Sequence, residues 1–299
     1  MDASRTRQWR HPRNLRGTTA VFGSLPLLIL LLRERLAPWL FMWLLAFAIF
    51  QWCKWITWSR SRGGSAGPWR VAAYFLAWPG LDAEAFFGNH RHVASPRAGQ
   101  WWMAWFKTLL GATLLWLITP RIPGIHTALK GWCGMVGLIL TLHFGVFHLL
   151  ALLWQRAGVQ AKPLMANPLA ARSLGEFWGI RWNSAFNQLV FELIFRPLQR
   201  KIGTHWAALL VFFASGLVHE LVISVPARGG YGWPTGFFLL QGAGLLFERT
   251  WVGRSLGLRN GLAGWTYTVL FTAGPAYWLF HPPFVNQVIL PFLKVIHAG

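Results

Sequence analysis

Acidic residues are scarce in this chain, with 8 Asp and Glu among 299 residues against 28 Lys and Arg. That shortage weighs against a transporter relaying protons through His143, His148 and His219. Such spans are expected to hold paired carboxylates in a half-helix symmetric fold, whereas only Glu192 and Glu220 are available here and no internal repeat is present. Cysteine is almost absent. Cys53 and Cys133 lie in or beside apolar runs with no metal-ligand spacing, so neither a disulfide nor a zinc site is expected. Histidine-rich boxes are missing as well. His143 and His148 have a spacing seen in membrane di-iron desaturases, but they stand roughly 140° apart round a helix and no further boxes accompany them. His90 and His92 flank Arg91 and read as solvated, so no metal is expected.

Charge of either sign is also thin, 12% of residues, while 55% are apolar and the chain holds 21 Trp and 23 Phe. Several apolar runs approach the ~20 residues that a helix needs to cross hydrocarbon, with Trp clustered near their ends. The expectation is an all-α polytopic membrane protein with about seven to nine membrane helices. The net charge of +20 invites a nucleic-acid reading. The basic residues sit in short loops between spans, however, where anionic membrane lipid accounts for them, and no nucleic-acid partner is expected.

Spans are expected at residues 18–32, 36–56, 101–119, 132–154, 207–225, 231–247 and 262–280. Val71 to Trp78 is too short to cross and leads into WPGLDAEAFF, where Asp82 is placed to cap a helix. Gly274-Pro275 predicts a kink, Pro282 and Pro283 a break, and Phe284 to His297 a last, partly amphipathic helix. The Arg-rich start followed by two successive runs reads as a retained membrane helix rather than a cleaved leader. Basic residues in 1–16, 54–107, 156–201 and 249–259 outnumber Arg33, Arg35, Arg121, Lys130 and Arg228 in the alternate loops, which puts the N-terminus on the cytoplasmic side. One domain is expected over 1–299, with 1–16 as a basic cytoplasmic tail and 155–202 as a cytoplasmic loop and amphipathic helix, in what is taken as a bacterial inner membrane.

The chemistry concentrates between Glu176 and Glu220. A helix starting near Glu176 would align Trp178, Trp182, Phe186, Leu189 and Leu193 in one stripe, and Arg181, Ser184, Gln188 and Glu192 in another. Asn183 and Asn187 fall on neither stripe, and amides in an apolar flank need partners, so they either staple this helix to a neighbour or serve a site. His219 lies 13 residues beyond Trp206, about 20 Å along a helix, which places it past the membrane midplane. An imidazole there is costly to ionise and is a functional candidate by default. Ser215 and Gly216 precede it by one turn, either leaving a groove for a substrate hydroxyl or serving close helix packing. Ser215 with His219 as nucleophile and base is a further reading, without a third group to support it.

EFWGIRWN, followed some thirty residues later by SGLVHE, resembles the membrane-bound O-acyltransferase superfamily, and its wax-synthase branch in particular. WPGLDAEAFF and FHPPFVNQVILPFL resemble that branch too, so the likeness runs from Trp78 to Leu293. The resemblance implies an internal reaction tunnel and transfer of an acyl group from acyl-CoA, as co-substrate and without a cofactor, to a lipid alcohol. It implies that His219 is the general base and Asn183 an orienting or polarising residue. Trp178, Arg181, Trp182, Asn187, Ser215, Gly216 and Glu220 are the expected substrate-binding neighbours, with Arg181 also a candidate for the donor's phosphates. A sterol, polyketide or sugar hydroxyl is the alternative acceptor, and a homo-oligomer is left open.

Overall fold

The computed structural model describes residues 16–61, 67–88 and 93–299. Most of the basic tail, the centre of the Gly/Ser-rich loop, and His90 and His92 lie outside the described residues. Every regular element among the described residues is helical. Proline repeatedly opens these helices at the first turn, where its missing N–H costs no bond: Pro38, Pro68, Pro234 and Pro282 all do so. Asp82 caps the short Ala83–Phe87 helix by accepting from the Ala85 N–H at 2.9 Å, as its position after the Pro-Gly turn predicts.

Among the described residues, four helices are long and apolar enough to cross a membrane: Pro38–Arg60, Ala98–Arg121, Thr127–Arg156 and Ser184–Ala227. The other apolar helices, Arg16–Leu31, Trp233–Phe247 and Gly261–Ala273, have 16, 15 and 13 residues and fall short of ~20. The lipid-facing surface is legible directly. On Ala98–Arg121, Trp102, Trp105, Phe106, Leu109, Trp116 and Leu117 recur at helical spacing and all lie exposed, a stripe that water would not tolerate on a monomer. The protein is an integral membrane protein.

The last helix is present and partly amphipathic, as expected, with a widened turn inside it. After Pro282–Phe284 the chain widens into a π-helical turn, Val285–Ile289, and ends in Leu290–Val295. Phe284, Val288 and Leu293 are buried there against Leu115, Met135 and Ile223. A Cβ on Gly131 or Gly134 would strike Val285 or Leu293, so these glycines make room for the terminal segment.

Lys54, expected at the edge of a cytoplasmic loop, instead lies within the Pro38–Arg60 helix with no exposed surface. Its ammonium donates to the Tyr74 carbonyl at 2.6 Å and the Gly80 carbonyl at 2.8 Å and sits 3.8 Å from the Tyr74 ring centroid. It therefore clamps the WPG turn to the bundle and does not belong in the loop-charge count. The expected kink at Gly274-Pro275 is present, separating Gly261–Ala273 from Ala276–Leu279.

Candidate active site

The Glu176 stretch is not one helix. A short turn, Leu174–Glu176, widens into a π-helical turn over Phe177–Arg181, closed by the Trp182 N–H on the Phe177 carbonyl at 2.8 Å. The chain then breaks: Trp182 is extended and Asn183 is left-handed at φ 43°, ψ 62°. Asparagine tolerates that region better than most residues, and its side-chain oxygen accepts from the Phe186 N–H to start the next helix. The stripes drawn on one continuous helix are therefore broken at residue 182. Asn187 reaches back across the break to the Gly179 carbonyl, so it staples the two halves of its own motif rather than a neighbouring helix.

Arg181 is committed within the same motif. Its guanidinium lies 2.7 Å from Glu176 Oε1 through both Nε and Nη2, and Nη1 donates to the carbonyls of Ala166 and Asn167. Glu176 in turn accepts from the Arg172 N–H at 2.7 Å. That bond, with the Arg181 bonds and charge, holds its carboxyl below the usual glutamate value against the opposing effect of burial. The phosphate-contact reading of Arg181 does not match this geometry, because its donors are already placed on protein acceptors.

His219 stands on the Ser184–Ala227 helix, which turns sharply at Gly203, whose φ of 81° and ψ of 167° suit a residue without a side chain. From there the helix runs unbroken to His219, and a π-helical turn, Glu220–Ser224, follows at once. Such widened turns are frequent at functional positions because they re-aim neighbouring side chains. His219 Nδ1 lies 2.7 Å from the Ser215 carbonyl. A carbonyl only accepts, so Nδ1 carries the ring proton and Nε2 is left with its lone pair. This is the tautomer a general base requires. Ser215 contributes its carbonyl to that arrangement, and the nucleophile reading of its hydroxyl has no hydrogen bond to His219 behind it.

The face of the imidazole is set by the Trp233–Phe247 helix. Glu220 Oε1 accepts from the N–H groups of Gly232 and Thr235 at 2.9 and 3.1 Å and from the Thr235 hydroxyl at 2.9 Å, a cap supplied by a different helix. Gly216 lets the two helices touch, since a Cβ there would lie 2.7 Å from Thr235 Cα. At Gly216 itself the space expected as a groove is taken by the backbone of Thr235. One turn beyond Thr235, Phe238 lies over His219 with ring centroids 4.4 Å apart.

From Phe238 an aromatic wall leads back to the motif. Trp178 is 5.7 Å from Phe238 and 5.9 Å from Phe212, and Trp182 is 6.4 Å from Trp178 while stacking on Phe177 at 5.4 Å. Trp178 Nε1 donates to Gln241, which is fully buried and donates onward to the Phe271 carbonyl. The aromatic wall thus runs from Phe238, over His219, to Trp182, the chain neighbour of Asn183, and among the described residues no hydrogen bond links Asn183 to His219. Phe238, Thr235 and Gln241 escaped the sequence reading because they sit in an apolar run whose spacing marks no special face. Among the described residues, no group of three His, Cys, Asp or Glu converges to hold a metal ion.

Comparison with known proteins agrees with the motifs. Residues 161–240, which contain Asn183, His219 and Phe238, match the model of the membrane bound O-acyl transferase family. A probable long-chain-alcohol O-fatty-acyltransferase 7 of Arabidopsis thaliana is 33% identical over 146 residues, 44% of this chain and 42% of that protein. The long-chain-alcohol O-fatty-acyltransferase of Simmondsia chinensis is 32% identical over 44% of this chain and 40% of its own length. Acyl-CoA–sterol O-acyltransferase 1 of Arabidopsis thaliana is 27% identical over 42% of this chain and 39% of that protein. The similarity spans less than half the length of each relative. The likeness to the wax-synthase branch is borne out, while these relatives, being plant proteins, lend nothing to a bacterial location.

Proposed function

We propose that this chain is an O-acyltransferase that moves an acyl group from acyl-CoA to the hydroxyl of a long-chain lipid alcohol, with His219 as the general base. The observation that carries the proposal is the tautomer of His219. Nδ1 is held on the Ser215 carbonyl, and Nε2 has no partner among the described residues. The acceptor O–H gives its proton to Nε2 as the oxygen attacks the thioester carbonyl. A C–O bond forms, the C–S bond breaks, and the proton passes from the imidazolium to the departing thiolate. A positioned base contributes about 10²- to 10⁴-fold to such a step, and the thioester makes the transfer downhill without metal or ATP.

The Trp178, Phe212 and Phe238 wall lines an apolar path for the acyl chain and keeps water from the thioester; a reaction tunnel running beside His219 is part of the proposal. Asn183 orients the reacting carbonyl from the motif end of that wall. The N-terminus and the Trp-Asn motif lie on the cytoplasmic side, which the distribution of basic loops supports. A sterol hydroxyl is the second reading of the acceptor, favoured by the likeness to acyl-CoA–sterol O-acyltransferase 1.

Membranes containing the protein, given labelled acyl-CoA and a fatty alcohol, are expected to form ester, and His219→Ala is expected to abolish it. Equal turnover in the variant refutes the proposal.

A further inference from the structure

A cavity of about 380 Å³ lies between the segment that leads into the Trp-containing motif and the segment that follows the Trp233–Phe247 helix. It is lined by Ser173, Arg254, Gly257, Arg259 and Asn260, with no acidic residue among them. Neither guanidinium group has a hydrogen bond or close ion pair with another described residue, and Arg259 feels the Glu248 carboxylate only through its field, in contrast to Arg181, which is bonded to Glu176, Ala166 and Asn167. Ser173 Oγ accepts from the Glu176 N–H, which leaves the hydroxyl proton free to donate. The nearby carboxylate of Glu248 is buried and turns both oxygens onto the N–H groups of Leu174 and Gly175 at 2.7 and 2.9 Å, so it is satisfied elsewhere.

Those same two bonds fix the cavity relative to His219. Glu248 ends the helix that presents Phe238 to the imidazole, and ten residues separate them, about 15 Å of helix. A pantetheine arm has about thirteen bonds from sulfur to the nearest phosphorus, and at the 3.3–3.6 Å that three backbone bonds span this is also about 15 Å. The arm is thus as long as the stretch of helix from Phe238, over His219, to Glu248, beside which the cavity residues follow.

We infer that the cavity lined by Arg254, Arg259, Ser173 and Asn260 binds the phosphate-bearing head of the acyl donor. The inference rests on the acyltransferase reading, and it names which end of the substrate this basic segment recognises. Guanidinium groups match phosphate oxygens in geometry as well as charge, and Arg254 and Arg259, both exposed at the cavity, are accessible to such a ligand. An anionic phospholipid headgroup offers the same phosphate chemistry, so the test separates the two.

The full-length protein in neutral detergent is titrated with coenzyme A itself, which carries the phosphates but no acyl chain. Arg254→Gln and Arg259→Gln are each expected to weaken binding about tenfold or more, whereas Lys162→Gln, an exposed charge on the same side of the chain, leaves it unchanged. In turnover, the two variants raise KM for acyl-CoA while kcat holds, and an acyl-pantetheine lacking the phosphates is used equally by wild type and variants. Equal coenzyme A affinity in all three variants and the wild type overturns the inference. So does Arg-dependent binding of phosphatidylglycerol vesicles without any binding of coenzyme A, which assigns the cavity to lipid. His219→Ala is expected to keep coenzyme A binding intact. Arg-dependent binding without ester formation from any alcohol would therefore sink the acyltransferase reading alone, and ester formation with unaltered KM in the arginine variants would sink only the cavity assignment.

Discussion

Adding one methyl group at Gly216 tests how the site is held together. A Cβ at this position would stand 2.7 Å from Thr235 Cα, where ordinary carbon contacts begin near 3.4 Å. The neighbour is backbone, so no side chain can rotate away and the Trp233–Phe247 helix must retreat by about 0.7 Å. Overpacking of this kind costs about 1–3 kcal/mol. The displaced helix carries Phe238, whose ring lies 4.4 Å from His219, and Thr235, which is tied to Glu220. Misplacement by close to 1 Å in a site that works by positioning lowers rate by up to about 10²-fold. Gly216→Ala is therefore expected to fold, to lose a few degrees of thermal stability, and to lose kcat far more than affinity for the donor. The assay is ester formation from labelled acyl-CoA with increasing donor, beside a thermal unfolding curve of the same preparation. Wild-type kcat with wild-type stability would refute the argument, since the two helices would then not be in contact at Gly216.

Asn183 offers a way to separate backbone from chemistry. Asn183→Gly keeps the left-handed turn and is expected to fold normally yet lose activity, whereas Asn183→Ala is expected to lose about 1–2 kcal/mol from the cap and up to 1–2 more from the backbone; an active glycine variant would leave Asn183 a capping residue only. Glu220→Gln retains an acceptor for Gly232 and Thr235 and is expected to be mild, while Glu220→Ala leaves those donors unanswered at about 1–3 kcal/mol each if they stay dry, read out as a lower unfolding temperature. Lys54→Met is expected to free the WPG turn by abandoning the Tyr74 and Gly80 carbonyls, seen as faster proteolysis near Gly80. The Glu176 clamp has a definite pH signature: because its folded pKa is depressed below the ordinary 4.5, its contribution is complete above that value and disappears as pH falls through the folded pKa. The stability gap between wild type and Glu176→Gln should accordingly be widest near neutral pH and should narrow as pH falls below 4.5 and through the depressed folded pKa.

Apolar runs, Trp-rich ends and the scarcity of charge announced a helical membrane protein, because hydrocarbon leaves the backbone no partners except its own. Asp82 was readable as a cap and Gly274-Pro275 as a kink, since each of these depends on a residue and its immediate neighbours. The break at Trp182–Asn183 was not readable. Periodicity alone favoured one amphipathic helix, and what overrides it is a π-helical turn closed from Phe177 together with a left-handed asparagine. Arg181 likewise looked free for a ligand until Glu176 and the Ala166 and Asn167 carbonyls were seen around it.

By itself, then, the order of residues determined that the chain is a helical membrane protein, and that a Trp-Asn motif precedes a histidine on one of its long apolar helices. Only the tertiary structure decided which nitrogen of His219 is bare, which ring lies over it, that Gly216 meets Thr235, and that two arginines beyond Glu248 have no hydrogen bond to another described residue. The division has one physical cause: hydropathy and capping are properties of a few consecutive residues, whereas a hydrogen bond from Gly232 to Glu220, or a ring of Phe238 on His219, exists only after two distant helices have met.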